Sequence, residues 1–111
     1  MKVLIGRNQM NLGASLPQLQ QRFPDVTFVD APDPEQALKE VADADVFMGF
    51  MTPEMFQAAK QLKWIQSPSS GANYYVAIPE LVASDVLLTS AVGTHSSCLT
   101  DSIFAMLLSF T

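Results

Sequence analysis

Five short apolar runs, set apart by stretches that open with helix-starting residues, constrain this chain more than anything else in it. Lys2 to Ile5, Val26 to Asp30, Val46-Phe47-Met48, Leu62 to Gln66 and Val86 to Thr89 are each bounded by polar or turn residues. Runs this short and this apolar suit parallel strands covered by helices. Between the second and third, Asp33-Pro34-Glu35-Gln36 is a strong start signal. The Asp can cap, the Pro is already at helical φ, and Gln follows three residues after the cap. Thr52-Pro53-Glu54 repeats the signal after the third run, and Ser15 with Pro17 offers a weaker version after the first. These starts predict helices to about Phe23, Ala42 and Gln61. From Gly71 to Asp85 the pattern is weak and Pro79 interrupts it, so a turn or two of helix is expected there at most.

Strands alternating with helices at this spacing imply right-handed crossovers and a parallel sheet. The expected fold is α/β: a flavodoxin-like three-layer sandwich with five parallel strands in the order 2-1-3-4-5. The 111 residues allow one domain, and 49% hydrophobic against 15% charged residues describe a core-rich chain. A net charge of -5 with no Lys/Arg cluster argues against nucleic acid, and an acidic surface would also repel anionic lipid. The opening Met-Lys-Val-Leu-Ile is too short for a signal peptide or a membrane span. Cys98 stands alone, so no internal disulfide forms, and a reducing cytoplasm is the expected compartment.

The last stretch, residues 96–110, carries Leu99, Ile103, Met106, Leu107 and Phe110 at helical spacing, with Phe104 and Leu108 on another side. Such a helix wants cover on more than one face. The expectation is that it folds back over the sheet or covers the same helix of a second copy, as a homodimer.

The chemistry centres on residues 62–93. Ser70-Gly71-Ala72-Asn73 follows the fourth run, at the carboxyl edge where open parallel sheets bind ligands. A glycine there lets backbone approach a ligand, and aligned N–H groups of Gly71, Ala72 and Asn73 would form a nest for a carboxylate. Spacing alone favours a plain strand-to-helix turn. The order Leu-Lys-Trp-Ile-Gln, a Ser-rich turn, Ser-Gly-Ala-Asn, Pro-Glu-Leu, Val-Leu-Leu-Thr, then Gly93 and a long helix resembles the substrate-binding domain of the D-2-hydroxyacid dehydrogenases. The resemblance implies that the 70–73 loop holds the carboxylate of a small 2-keto or 2-hydroxy acid. It implies too that Phe50 and Met51 line the side-chain pocket, although packing under the next helix accounts for them equally well. It further implies a parent enzyme using NAD or NADP. Residues 1–111 are then the substrate-binding domain without its dinucleotide-binding domain, and inactive alone.

Other residues invite chemistry and have blander readings. Arg7 and Asn8 read as a solvated loop, although Arg is well shaped for a carboxylate. His95, the sole histidine, looks like part of a helix cap rather than a general acid or base. Cys98 reads as a packed thiol, and the two together fall short of a metal site. The resemblance puts the family's catalytic Arg, Glu and His beyond Thr111. No Gly-x-Gly-x-x-Gly occurs, so the chain is expected to bind no cofactor itself. The rival reading is a free-standing, non-catalytic α/β module for small-acid binding or assembly.

Overall fold

The computed structural model describes every residue from Met1 to Thr111. Its strands are β1 (Lys2–Ile5), β2 (Thr27–Asp30), β3 (Val46–Met48), β4 (Trp64–Gln66) and β5 (Leu87–Thr89), all parallel and ordered β2-β1-β3-β4-β5, as expected from the sequence. The helices are α1 (Leu16–Arg22), α2 (Pro34–Glu40), α3 (Pro53–Ala58), the single turns α4 (Asn73–Val76) and α5 (Pro79–Val82), and α6 (Ser96–Ser109).

The two strong start signals work as read: Asp33 Oδ2 accepts from Gln36 N at 3.1 Å, and Thr52 Oγ1 from Met55 N at 3.2 Å. Ser15 does not cap. It ends a 3-10 turn (Leu12–Ser15) that leads straight into α1, so its φ and ψ are already helical and its hydroxyl bonds no helix N–H.

The strand order fixes which face each helix takes. The step from β1 to β2 runs opposite to the other three crossovers, so right-handedness puts α1 on one face and α2 to α5 on the other. Leu4, Phe47 and Ile65, neighbours in register, face α2 to α5 and are sealed there with Val41, Met55, Tyr75, Ile78 and Leu81. The α1 face is covered less evenly. Val3, Phe28, Val46, Trp64 and Leu87 share that face by register, and exposure climbs across it to 39% at Trp64 and 58% at Leu87.

Nothing covers that end of the face, because α6 does not fold back. Every residue of α6 is exposed, and Leu99, Ile103, Phe104, Met106, Leu107 and Leu108 lie in solvent on all its sides. The radius of gyration is 16.6 Å, where a compact chain of this length has about 13 Å. Cys98, on α6, is exposed rather than packed for the same reason.

At the amino edge of the sheet Lys2 ties three acidic residues together. Its Nζ reaches Glu40 at 2.8 Å and also Asp43, while its backbone N–H donates to Asp45 Oδ2 at 2.9 Å. Burial works against the charge of Lys2, but the bonds from Asp43 and Glu40 outweigh it and its pKa is raised. Asp43 is lowered, first by its bond from Lys2, and Asp45 first by the Lys2 backbone N–H, then by Lys63. Carboxylates with lowered pKa stabilise the fold above their unfolded value and lose that contribution as pH falls through the folded one. Lysine with a raised pKa contributes below its ordinary 10.5 and loses that contribution as pH rises past it. Thermal melts should therefore be flat at neutral pH and decline at both extremes. Lys2→Met should flatten the acid-side decline, and an unchanged profile would show that the cluster carries no stability.

Candidate functional site

The carboxyl edge is built from the loops that leave β1, β3 and β4. After β1, Asn8 organises the chain: its Nδ2 donates to Gly6 O at 2.9 Å while its Oδ1 accepts from Met10 N at 3.0 Å. This is an Asx-type turn, and it makes Asn8 a loop-forming residue rather than a merely solvated one. After β3, Gly49 has φ +141, and a Cβ there would lie 2.9 Å from Arg7 O and 3.1 Å from Gly6 C. Only glycine lets the two exits come this close. Phe50 N then donates to Arg7 O at 3.2 Å, joining them.

After β4 the chain forms a hydroxyl chain. Ser67, fully buried, accepts from Ser69 N at 3.2 Å and meets Ser69 Oγ at 3.1 Å, and Ser69 Oγ donates onward to Gly71 O at 3.0 Å. The N–H groups of Ser70, Gly71, Ala72, Asn73 and Tyr74 donate to nothing within the chain. Five consecutive unspent donors at an exposed loop are available to an acceptor from outside. Gly71 itself is exposed, has no positive φ, and a Cβ there would meet nothing within 4 Å. Neither turn geometry nor packing requires glycine at this position.

Tyr75 anchors this loop to the neighbouring one. It is fully buried, and its hydroxyl donates to Gly49 O at 2.6 Å. Burial pushes its pKa up, a bond from Ser67 working against this, so it stays a neutral donor. Tyr74 stands edge-to-face between Tyr75 (centroids 5.4 Å apart) and Phe50 (5.6 Å).

Two hollows open side by side on this edge, sharing Gln9 and Phe50. One, of about 330 Å3, is walled by Ser69, Ser70, Pro68, Met10 and His95 as well. The other, about 370 Å3, adds Arg7, Asn8, Thr52 and Tyr74. Phe50 and Ser70 are thus brought to one hollow. Gly71, Ala72 and Asn73 follow Ser70 in the chain but are not among its walls. Met51 is not at the site: it is fully buried in the core under the sheet.

His95 occupies the N-cap position of α6, yet its side chain caps nothing and borders the hollow instead. Gln9, Ser67, Ser69, Tyr74 and Tyr75 are residues that sequence reasoning does not single out. The Ser-rich turn before Gly71 is the available signal for the hydroxyl chain. The tyrosines lie in the weakly patterned stretch, where periodicity gives no sign of a core residue.

No protein-family model and no curated protein matches the sequence. Solved structures do. The chain superposes on an NAD-dependent formate dehydrogenase from Staphylococcus aureus, solved with NAD, with TM-score 0.73 and 20% identity over 97% of its length. It matches the TT0316 protein of Thermus thermophilus at 0.69 and 24% over 97%, and a phosphoglycerate dehydrogenase from Lactobacillus plantarum at 0.62 and 27% over 99%. By fold, the chain is similar to all three, two of which are dehydrogenases. It spans 38%, 36% and 35% of those three chains, so what it shares with them is one part of a larger architecture. No helix of the chain is long and apolar enough to cross a membrane.

Proposed function

We propose that this chain is the substrate-binding part of an NAD(P)-dependent oxidoreductase that interconverts 2-hydroxy acids and 2-keto acids, with the 70–73 loop holding the substrate carboxylate. The observation that carries this is the run of unspent amides from Ser70 to Tyr74, next to a hollow walled by Ser69, Ser70, Phe50 and His95. Backbone donors that find no partner inside the chain favour an anionic acceptor from outside it. The resemblance of the loop sequence to the family points the same way, and NAD or NADP belongs to the parent enzyme. The partners are a small 2-keto or 2-hydroxy acid, a dinucleotide-binding domain, and a second copy covering α6; the compartment is the cytoplasm. Alone, this chain holds the acid but has no hydride source to set against its C2.

The test is a titration of the labelled chain with glyoxylate, pyruvate or hydroxypyruvate, followed by amide NMR. The amides of Ser70 to Tyr74 should shift together, and NADH absorbance should stay constant in the same mixture. Unmoved loop amides at saturating acid, or oxidation of NADH by this chain, would each refute the proposal. Gly71→Ala sharpens it. Since the new methyl meets nothing, stability should be unchanged or rise by up to about 1 kcal/mol, while acid affinity falls because the methyl stands where the ligand approaches.

A further inference from the structure

We propose that the acid held at this edge is a 2-keto dicarboxylate, and that Arg7 receives its far carboxylate in the second of the two hollows. The proposal rests on the reading that the 70–73 loop holds the carboxylate next to the keto group, and adds to it the class of acid.

Arg7 is the only charged residue among the walls of its hollow, although the chain carries 11 acidic residues. Most other cations are spent within the chain. Lys2 and Lys63 make all three ion pairs, so Arg7 makes none. Lys60 Nζ donates to Gln57 O at 3.1 Å, and the Arg22 guanidinium lies 5.7 Å from the centre of the Phe23 ring. Lys39 is also without a partner of this kind, but it sits in the last turn of α2, towards the amino edge of the sheet. A guanidinium left free in a hollow with no acid in its walls offers a planar pair of donors to an acceptor from outside. One such cation balances one carboxylate. A phosphate group, with roughly twice the charge at neutral pH, would call for a second cation that these walls lack.

The two hollows join where the middle of such an acid would run. Gln9 and Phe50 wall both, so an acid with its keto end at Ser69 and Ser70 passes Phe50 on the way to Arg7. Met55 and Tyr74, the latter edge-on to Phe50 with centroids 5.6 Å apart, keep this side of the second hollow apolar. Apolar walls between two polar ends suit methylene groups between two carboxylates. Glyoxylate or pyruvate would leave the second hollow, of about 370 Å3, unfilled.

Arg7 is also fixed at its root. Phe50 N donates to Arg7 O at 3.2 Å, Gly6 N to Met48 O at 2.8 Å, and Asn8 Nδ2 to Gly6 O at 2.9 Å. The main chain carrying the guanidinium is thus tied to the exit of β3, and on binding only the side chain has to be ordered.

The test compares 2-ketoglutarate with 2-ketohexanoate, an acid of the same length with an apolar end, by titration into the labelled chain followed by NMR. Both should shift the amides of Ser70 to Tyr74. 2-Ketoglutarate should bind at least about threefold more tightly, within the range for a partly exposed ion pair, and it alone should shift the Nε–H signal of Arg7. At a net charge of -5 the chain as a whole repels a dianion, so a preference for it has a local cause. A smaller ratio, or an unmoved Arg7 signal, overturns the proposal. Arg7→Gln should abolish the preference, while Lys39→Gln, the same loss of charge at the far end of α2, should leave it in place. Equal falls in the two variants would mean attraction by overall charge rather than contact, which also overturns it. Loop amides that move with both acids without any preference would remove the role of Arg7 and leave the carboxylate-holding loop standing. Loop amides that move with neither acid would sink both.

Discussion

Tyr75→Ala should lower unfolding free energy by about 3–5 kcal/mol, the range for removing a buried aromatic ring. The ring is fully enclosed among Phe47, Ile65, Ile78 and Leu81 on the covered face of the sheet, and the void left behind cannot refill without moving β4 or α5. Its hydroxyl adds a second loss, since Gly49 O would forfeit the 2.6 Å bond. Tyr75→Phe separates the two effects: it keeps the ring and should cost about 1–2 kcal/mol through the unpaired carbonyl alone. Chemical denaturation of the unmodified chain and the two variants measures this directly. Equal stabilities for the unmodified and Tyr75→Phe chains would show that the bond contributes nothing. A Tyr75→Ala loss under about 1 kcal/mol would contradict the packing described.

Gly49→Ala should cost about 2–4 kcal/mol by backbone strain and overpacking together. A methyl at Gly49 would press on Arg7 O at 2.9 Å and Gly6 Cα at 3.2 Å, with φ at +141. The obstructing atoms are main chain and cannot rotate aside. The loss should reach the site as well, because β1 and β3 would part where Phe50 and Arg7 meet. The same denaturation series checks the stability. Amide shifts at Arg7, Phe50 and Tyr74 check the local opening. Gly71→Ala is the control: it is the same substitution in a loop of the same edge, with open space around the new methyl, so a comparable loss at both positions would refute the geometric account.

Legibility in the sequence follows the locality of the signal. Strand positions and helix starts are readable because each depends on a few adjacent residues: Asp33-Pro34 and Thr52-Pro53 cap as their chemistry dictates. Ser15 fails as a cap because the preceding 3-10 turn, itself set by loop packing, has already put it in helical backbone. Phe50 and Met51 show the limit most clearly. As neighbours in sequence they look alike, but Phe50 faces the hollow and Met51 the core, a division made by the direction in which β3 ends. Tyr75 is invisible to local reading because its partner, Gly49, lies 26 residues away. Cys98 reads as packed only if α6 finds cover within its own chain, and it does not.

The serine chain behind Gly71 has an energetic consequence for whatever enters the edge. Ser67 and Ser69 hold the loop's carbonyl oxygens to the protein's side before anything arrives, and Tyr75 clamps the next loop to the same frame. Little conformational entropy then remains to be lost on association, so a small guest with few contacts of its own can still be retained.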